Sequence, residues 1–453
     1  MIPLSRPHAQ RALTAALSLA LALTAAPAWA AQTQSAKAAA APPQIALPAA
    51  LPALSDLPSP SLPQAATVDQ LLAATPALQE AQAMQQAAAQ NGAVLRAGTN
   101  EFTGQAQVQQ RRIDSQPDSG HYTEWQLLIN RQLRLPSQAQ ADERMAEALN
   151  VSAQAALVAA RQQFLGTLLS AWFAAQRAQA EAVLAQQDLD LIDAQVKALQ
   201  RRRSLGDASV LELEQMQAEQ ARAQSALLLA QGRAASSRAA LFARYPLLAR
   251  GGGLQAQADP NALALPDLSA EQLSAQAMQA NPLLAGQRAA LQKAQAMAAQ
   301  AHAARTPQPT VGAYIGSERG GSERIVGLQF AMPFGGPARV SQERAALAEA
   351  DAAQWRLRDL QMQIAAEFQR LYANMQAQLG AVKATERAAQ VQIQASSRML
   401  RAYQLGEAGL SDWLLARRSA VESTRLVLQS RFDAAASTAQ LKLQTGLLYD
   451  LAP

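Results

Sequence analysis

The sequence predicts an α+β membrane protein in which very long helices alternate with barrel-type β-hairpins, in a chain carrying an internal two-fold repeat. Three observations lead there. Leu205-Gly206-Asp207-Ala208 returns as Leu405-Gly406-Glu407-Ala408, an offset of about 200 residues that also relates Glu143-Arg144 to Glu343-Arg344 and Trp172 to Tyr372. Residues 1–30 read as a secretory signal, yet no later apolar run is long enough for a spanning helix, so membrane insertion would need a β-barrel. Finally, segments of around ten residues alternate apolar with polar or small side chains, as strands do with lipid on one face and water on the other.

In chain order, Arg6 and Arg11 supply the positive start of the signal, 12–26 its apolar stretch, and Ala28-Trp29-Ala30 a small-x-small cleavage site. The apolar run is too short for a retained membrane anchor. Residues 31–66 form an Ala/Pro-rich extension that reads as an extended strap. The first repeat occupies 67–251. It opens with a helix over 68–90, with Thr67 and Gln70 spaced as a capping box and a break at Thr75-Pro76. A hairpin over 94–135 follows, its clearer strand setting Trp125, Leu127, Ile129, Leu133 and Leu135 on one face, with Arg131 the exception there. After Pro136, a helix over 137–205 contains no proline and only Gly166, and a helix over 210–242 comes after a break at Gly206. A linker at 252–269 leads to the second repeat, 270–449. There a helix over 270–304 precedes a hairpin over 310–334 in which Val326, Leu328 and Phe330 alternate with Gly327 and Gln329. Helices over 338–404 and 410–448 complete it. Four strands cannot close a barrel with a usable lumen, so several protomers would have to share one.

Composition narrows the function. The formal net charge of +5 falls to 5 − 2 = +3 without the two signal arginines, which argues against nucleic acid as a partner. Aromatic residues make up 4% of the chain and there is no cysteine, so disulfides, thiolate metal sites and an acylated cysteine anchor are excluded. Beyond His8 in the signal only His121, placed in a loop, and His302, at a helix end, are present. No metal-ligand spacing, phosphate-binding glycine loop or nucleophile and base pairing appears. The chain is therefore expected to be no enzyme and to hold no metal or cofactor.

Three sets of residues carry a family resemblance. The turn Arg203-Ser204-Leu205-Gly206-Asp207-Ala208-Ser209-Val210-Leu211-Glu212 is repeated as Tyr403-Gln404-Leu405-Gly406-Glu407-Ala408-Gly409-Leu410-Ser411-Asp412. Asn281-Pro282 opens a helix leading into a proline-rich strand start, and Met332-Pro333-Phe334-Gly335-Gly336 forms the step into a long helix. In these features the mature chain resembles the TolC-type outer-membrane efflux family. The resemblance implies a homotrimer whose twelve-stranded barrel in outer-membrane lipid continues as a long α-helical barrel across the periplasm. The duct would receive substrates from an inner-membrane pump of RND type through a periplasmic adaptor. The turns at Leu205, Gly206, Asp207 and Ser209 and at Leu405, Gly406, Glu407 and Gly409 would then meet the adaptor. Glu212 and Asp412 would lie at the pore constriction, where a ring of carboxylates favours cations, although an acid at that position also stabilises a helix N-terminus. Leu415 and Ala408 depart from the family's pattern of a second acid and a locking arginine. The missing cysteine, the short C-terminus and the short second hairpin turn resemble the heavy-metal cation, CzcC-like, branch, with multidrug efflux and type I secretion as alternatives. An adaptor would instead have one helical hairpin between compact β-domains, and a poreless coiled-coil scaffold would need no barrel-length strands.

Overall fold

A computed structural model describes residues 51–449 except 115, 118, 251–253, 255–263 and 266. The described residues fall in one compact unit, Pro48–Pro453. The expected signal, the start of the extension and most of the expected linker lie outside them.

Two short helices, α1 (Ala65–Ala74) and α2 (Pro76–Ala97), lead into strands β1 (Phe102–Ile113) and β2 (Gly120–Gln132). Then come α3 (Pro136–Ser204), α4 (Val210–Arg244) and the short α5 (Pro246–Arg250). The second half runs through α6 (Ala270–Ala280), α7 (Pro282–Ala303), β3 (Thr310–Glu318), β4 (Glu323–Ala331), α8 (Pro337–Gln404) and α9 (Leu410–Gln444). Proline occupies the first turn of α2, α3, α7 and α8, where its missing N–H costs no intrahelical bond. With 69 residues, α3 extends on the order of 100 Å at about 1.5 Å per residue.

Several boundaries differ from the sequence reading. Residues 94–97 are helical and not strand: α2 continues until Gly98, whose N–H still bonds Val94 O at 2.9 Å. Thr67 lies inside the first turn of α1, which is preceded by Gln64 with no side-chain cap, so the expected capping box is absent. The helix expected over 270–304 is two helices, divided at Asn281, whose side chain caps α7 through Leu283 N and Leu284 N. His121 sits in β2 opposite Arg112 and not in a loop. The expected strand end at 332–334 lies beyond β4.

Helix packing follows from chain order. Near the sheet, α2, α3, α7 and α8 lie side by side in that order; beyond α2 and α7, the order becomes α4, α3, α9, α8. Thus α3 and α8 run through both tiers, and two shorter helices share the length of each. Arg96 and His302, 206 positions apart, end α2 and α7 and reach Glu143 and Glu343 near the starts of α3 and α8, at 3.0 and 2.6 Å. The main core gathers Leu165, Leu168 and Trp172 of α3 with Leu428 and Phe432 of α9. The described part of the proline-rich extension is docked here. Leu57 enters this core, Trp172 Nε1 donates to Ser61 O at 2.6 Å, and Arg431 donates to Leu54 O at 3.0 Å.

The four strands form one antiparallel sheet in the order β1-β2-β3-β4, and among the described residues β1 and β4 are its open edges. None of the described helices is long and apolar enough to cross a membrane.

Candidate functional site

Two regions bear on function, the sheet and the paired helical turns. Strand register sorts the sheet's side chains, because residues directly opposite each other point to the same face. One face carries four rows: Val108, Trp125, Ser317 and Arg324; Ala106, Leu127, Ile315 and Val326; Gly104, Ile129, Ala313 and Leu328; Phe102, Arg131, Val311 and Phe330. The two middle rows are wholly apolar or small. Aromatic rings stand at the rims, and Arg131, the exception in the sequence pattern, lies in a rim row with its guanidinium 4.8 Å from the Phe102 ring centre. Trp125, Leu127, Ile129, Val326, Leu328 and Phe330 are all exposed, Leu328 by 88%. The opposite face bears Gln105, Gln107, Gln109, Gln126, Asn130 and Gln329, with Leu128, Tyr314 and Ile325 among them. Four apolar-face rows two residues apart cover about 20 Å along a strand. A band of this kind, flanked by aromatics, matches a lipid-facing surface.

At the other end of the helices, both hairpin turns close in the same way. Gly206 N–H bonds Arg203 O and Asp207 N–H bonds Arg202 O; Gly406 and Glu407 bond Tyr403 O and Ala402 O equivalently. These paired bonds need a left-handed residue at the glycine, with φ of 84° at Gly206 and 77° at Gly406. Ser209 then caps α4, its hydroxyl accepting from Glu212 N–H while the Glu212 carboxylate accepts from Ser209 N–H at 3.0 Å. Gly409 has no side chain to do the same, and only the return bond exists, Gly409 N–H to Asp412 Oδ2 at 3.2 Å. Glu212 and Asp412 are therefore both engaged at helix starts, where a carboxylate also favours the helix dipole.

Leu205, Leu405, Val210 and Leu211 are exposed at the turns. Behind them Leu199, Leu213 and Met216 pack with Leu410, Trp413 and Leu414, and Tyr403 stacks on Trp413 with ring centres 6.2 Å apart. The hairpins are thereby joined just inside their tips. Leu410 is buried where its counterpart Val210 is exposed, so the second turn leans on the first.

A buried charge cluster lies further from the tips, and sequence reasoning missed it. Arg417 of α9, 3% exposed, bonds Asp188 of α3 and, at 2.5 Å, Glu219 of α4. Glu219 also accepts from Arg418 and Arg222. Burial raises the Asp188 carboxyl, with Arg417 only partly offsetting it. Burial would raise Glu219 too, but Arg418 and Arg417 outweigh it and hold its carboxyl down at about 2. Three helices are tied by one cluster. Its members are 198 and 229 positions apart in the chain, and no local pattern links them. Among the described residues no group of three or more His, Cys, Asp or Glu is placed to hold a metal ion.

Solved outer-membrane channels share this arrangement of a small sheet joined to paired long helical hairpins. The chain superposes on the outer-membrane protein VceC of Vibrio cholerae with a TM-score of 0.66, at 20% identity, covering 85% of this chain and 96% of that one. The Campylobacter jejuni CmeC outer-membrane channel gives 0.67 at 14% identity, covering 86% of each. The open state of the Neisseria gonorrhoeae MtrE outer-membrane channel gives 0.59 at 17% identity, covering 85% of this chain and 90% of that one. At such identities the likeness is one of fold. No family model matches the sequence, and no curated protein matches it.

Proposed function

We propose that the chain is the outer-membrane exit duct of a tripartite efflux system, passively conducting what an inner-membrane pump delivers through a periplasmic adaptor. The observation that carries this is the sheet: one face is an apolar band with aromatic rims, and both of its edges are unpaired. An open edge with an apolar face is an aggregation hazard in water. Closing three copies edge to edge, β4 of one on β1 of the next, removes every edge and yields twelve strands around a polar lumen. The helical tiers are open in the same sense, since α2 or α4 on one side and α8 on the other end them, with Leu228 and Leu229 of α4 and Leu347, Trp355 and Met362 of α8 exposed. A head-to-tail contact that closes on itself gives a ring.

In this reading the turns at Leu205 to Ser209 and Leu405 to Gly409 form the periplasmic tip and meet the adaptor, and Glu212 and Asp412 line the constriction. The pump selects the cargo. Heavy-metal cations are the proposed cargo on the short β3–β4 turn and the absence of cysteine, and the test is metal sensitivity of cells lacking the gene. Because the chain has no cysteine, single cysteines on β1 and β4 report barrel closure without background. Oxidation should give covalently linked trimers in the outer-membrane fraction; monomers released by carbonate would reject the duct. For the constriction, Asp412→Ala should lower the cation preference of reconstituted channels, and an unmoved reversal potential would remove Asp412 from the pore.

A further inference from the structure

On the polar face of the sheet, Glu124 is only 2% exposed although Gln107, Gln109 and Gln126 around it are open. Its carboxylate accepts from Gln109 Nε2 at 2.8 Å, pairs with Arg111 at 3.3 Å, and receives the backbone N–H of Arg319 at 3.4 Å. Arg319 belongs to the turn between β3 and β4, and β2 lies on the far side of β3 from β4. Arg319 directly follows Glu318, which continues the register beside Glu124, and the turn leans over the polar side of β2 with three successive positive φ angles, 49° at Arg319, 66° at Gly320 and 101° at Gly321. A side chain at Gly320 would come 3.6 Å from the Tyr122 ring of β2. Glu124 also borders a cavity of about 270 Å³, lined in part by Gln107, Gln109, Gln126, Tyr314 and Glu318. The cluster is of mixed charge: Arg111 also lies 3.9 Å from Glu318, and Arg319 lies 3.4 Å from Glu323.

We propose that this inward-folded turn, fastened by Glu124, is a charged collar at the outer mouth of the duct that limits conductance and sets its preference for small cations over anions. The inference rests on the duct reading, in which the polar face lines the lumen. Among the described residues of this cluster three carboxylates, Glu124, Glu318 and Glu323, face two guanidiniums, Arg111 and Arg319, a balance of 2 − 3 = −1. Closure around one axis brings three such collars into a ring, and a ring of net negative charge raises cation concentration in a pore. This constriction is at the opposite end of the chain's long helices from Asp412, so the two act on permeation separately.

Purified protein in planar lipid bilayers tests the collar by single-channel recording in a KCl gradient. Arg319→Gly removes a positive charge at a backbone angle glycine adopts freely, so the fold is kept. It should raise the potassium-to-chloride permeability ratio by about twofold or more and increase conductance. Glu124→Gln removes a negative charge and one fastening, and should lower that ratio by a similar factor. If Glu124→Gln does not assemble, Arg319→Gly decides the matter alone. Wild-type channels that conduct while the variants show unchanged ratio and conductance overturn the collar and leave the duct standing. Inserted wild-type protein that never conducts overturns the duct, and the collar with it.

Discussion

Leu328 and Gln329 are adjacent on β4, both exposed, and they differ in the face to which they point. Leu328 stands in a wholly apolar or small row with Ala313, Ile129 and Gly104, one row in from the Phe102 and Phe330 rim. In the proposed trimeric barrel, arginine in that row would sit inside the hydrocarbon layer, where it costs about 2–4 kcal/mol on a barrel's lipid face, or about 6–12 kcal/mol over three chains. At about 3 kcal/mol per chain the insertion equilibrium falls roughly a hundredfold. Arginine at position 329 faces water and should change stability by no more than about 0.5 kcal/mol. The assay is the fraction of each variant found as heat-modifiable oligomer in the outer membrane of expressing cells. Leu328→Arg should be depleted strongly while Gln329→Arg matches the wild type. Equal assembly of the two variants, or loss confined to Gln329→Arg, would refute the assignment of faces and with it the lipid-facing band.

Two further outcomes concern the buried cluster. Arg417→Met strands the Asp188 carboxylate and should destabilise the protein by about 3–5 kcal/mol in guanidinium unfolding of the detergent-solubilised protein, whereas adding Asp188→Leu should recover most of the loss; a single variant as stable as the wild type would show that the cluster does not join the helices. Acid should act on the same cluster. Glu219 titrates at about 2 when folded against an ordinary 4.5, so its contribution is present above about pH 4.5 and disappears as pH falls toward 2. Asp188, raised by burial, works in the opposite sense by taking its proton earlier. The thermal midpoint should therefore drop most steeply below pH 4.5, and Glu219→Gln should flatten that drop.

Much of the architecture is legible in the chain because its signals are local. Proline at the start of α3 and α8, and the lack of any further proline before Gly206 and Gly406, set two long helices within a residue or two of their observed ends. The alternation at Trp125, Leu127 and Ile129 and at Val326, Leu328 and Phe330 needs only the two-residue period of a strand. Where the local signal was ambiguous, tertiary packing decided. Val94 and Leu95 suit a strand as well as a helix, and continued packing of α2 along α3 keeps them helical. The proline-rich segment reads as an extended strap, and what it docks on is set by packing: Ser61 finds Trp172 and Gln176 on α3, with Gln176 donating to the Ser61 hydroxyl at 2.6 Å.

What the sequence determines by itself is thus periodic or punctuated: the extent of the two longest helices, the two-faced strands, and the glycine turns that reverse the chain. Contacts between distant positions carry no period and belong to the tertiary structure alone. Arg417 meets Asp188 and Glu219 only because α3, α4 and α9 lie together, and Glu124 is buried by Gln109 and Arg111 of β1 together with a turn almost two hundred residues later. The cluster that ties the helices and the collar proposed for the mouth both arise this way, from charges that are ordinary in sequence and become specific once packing removes them from water.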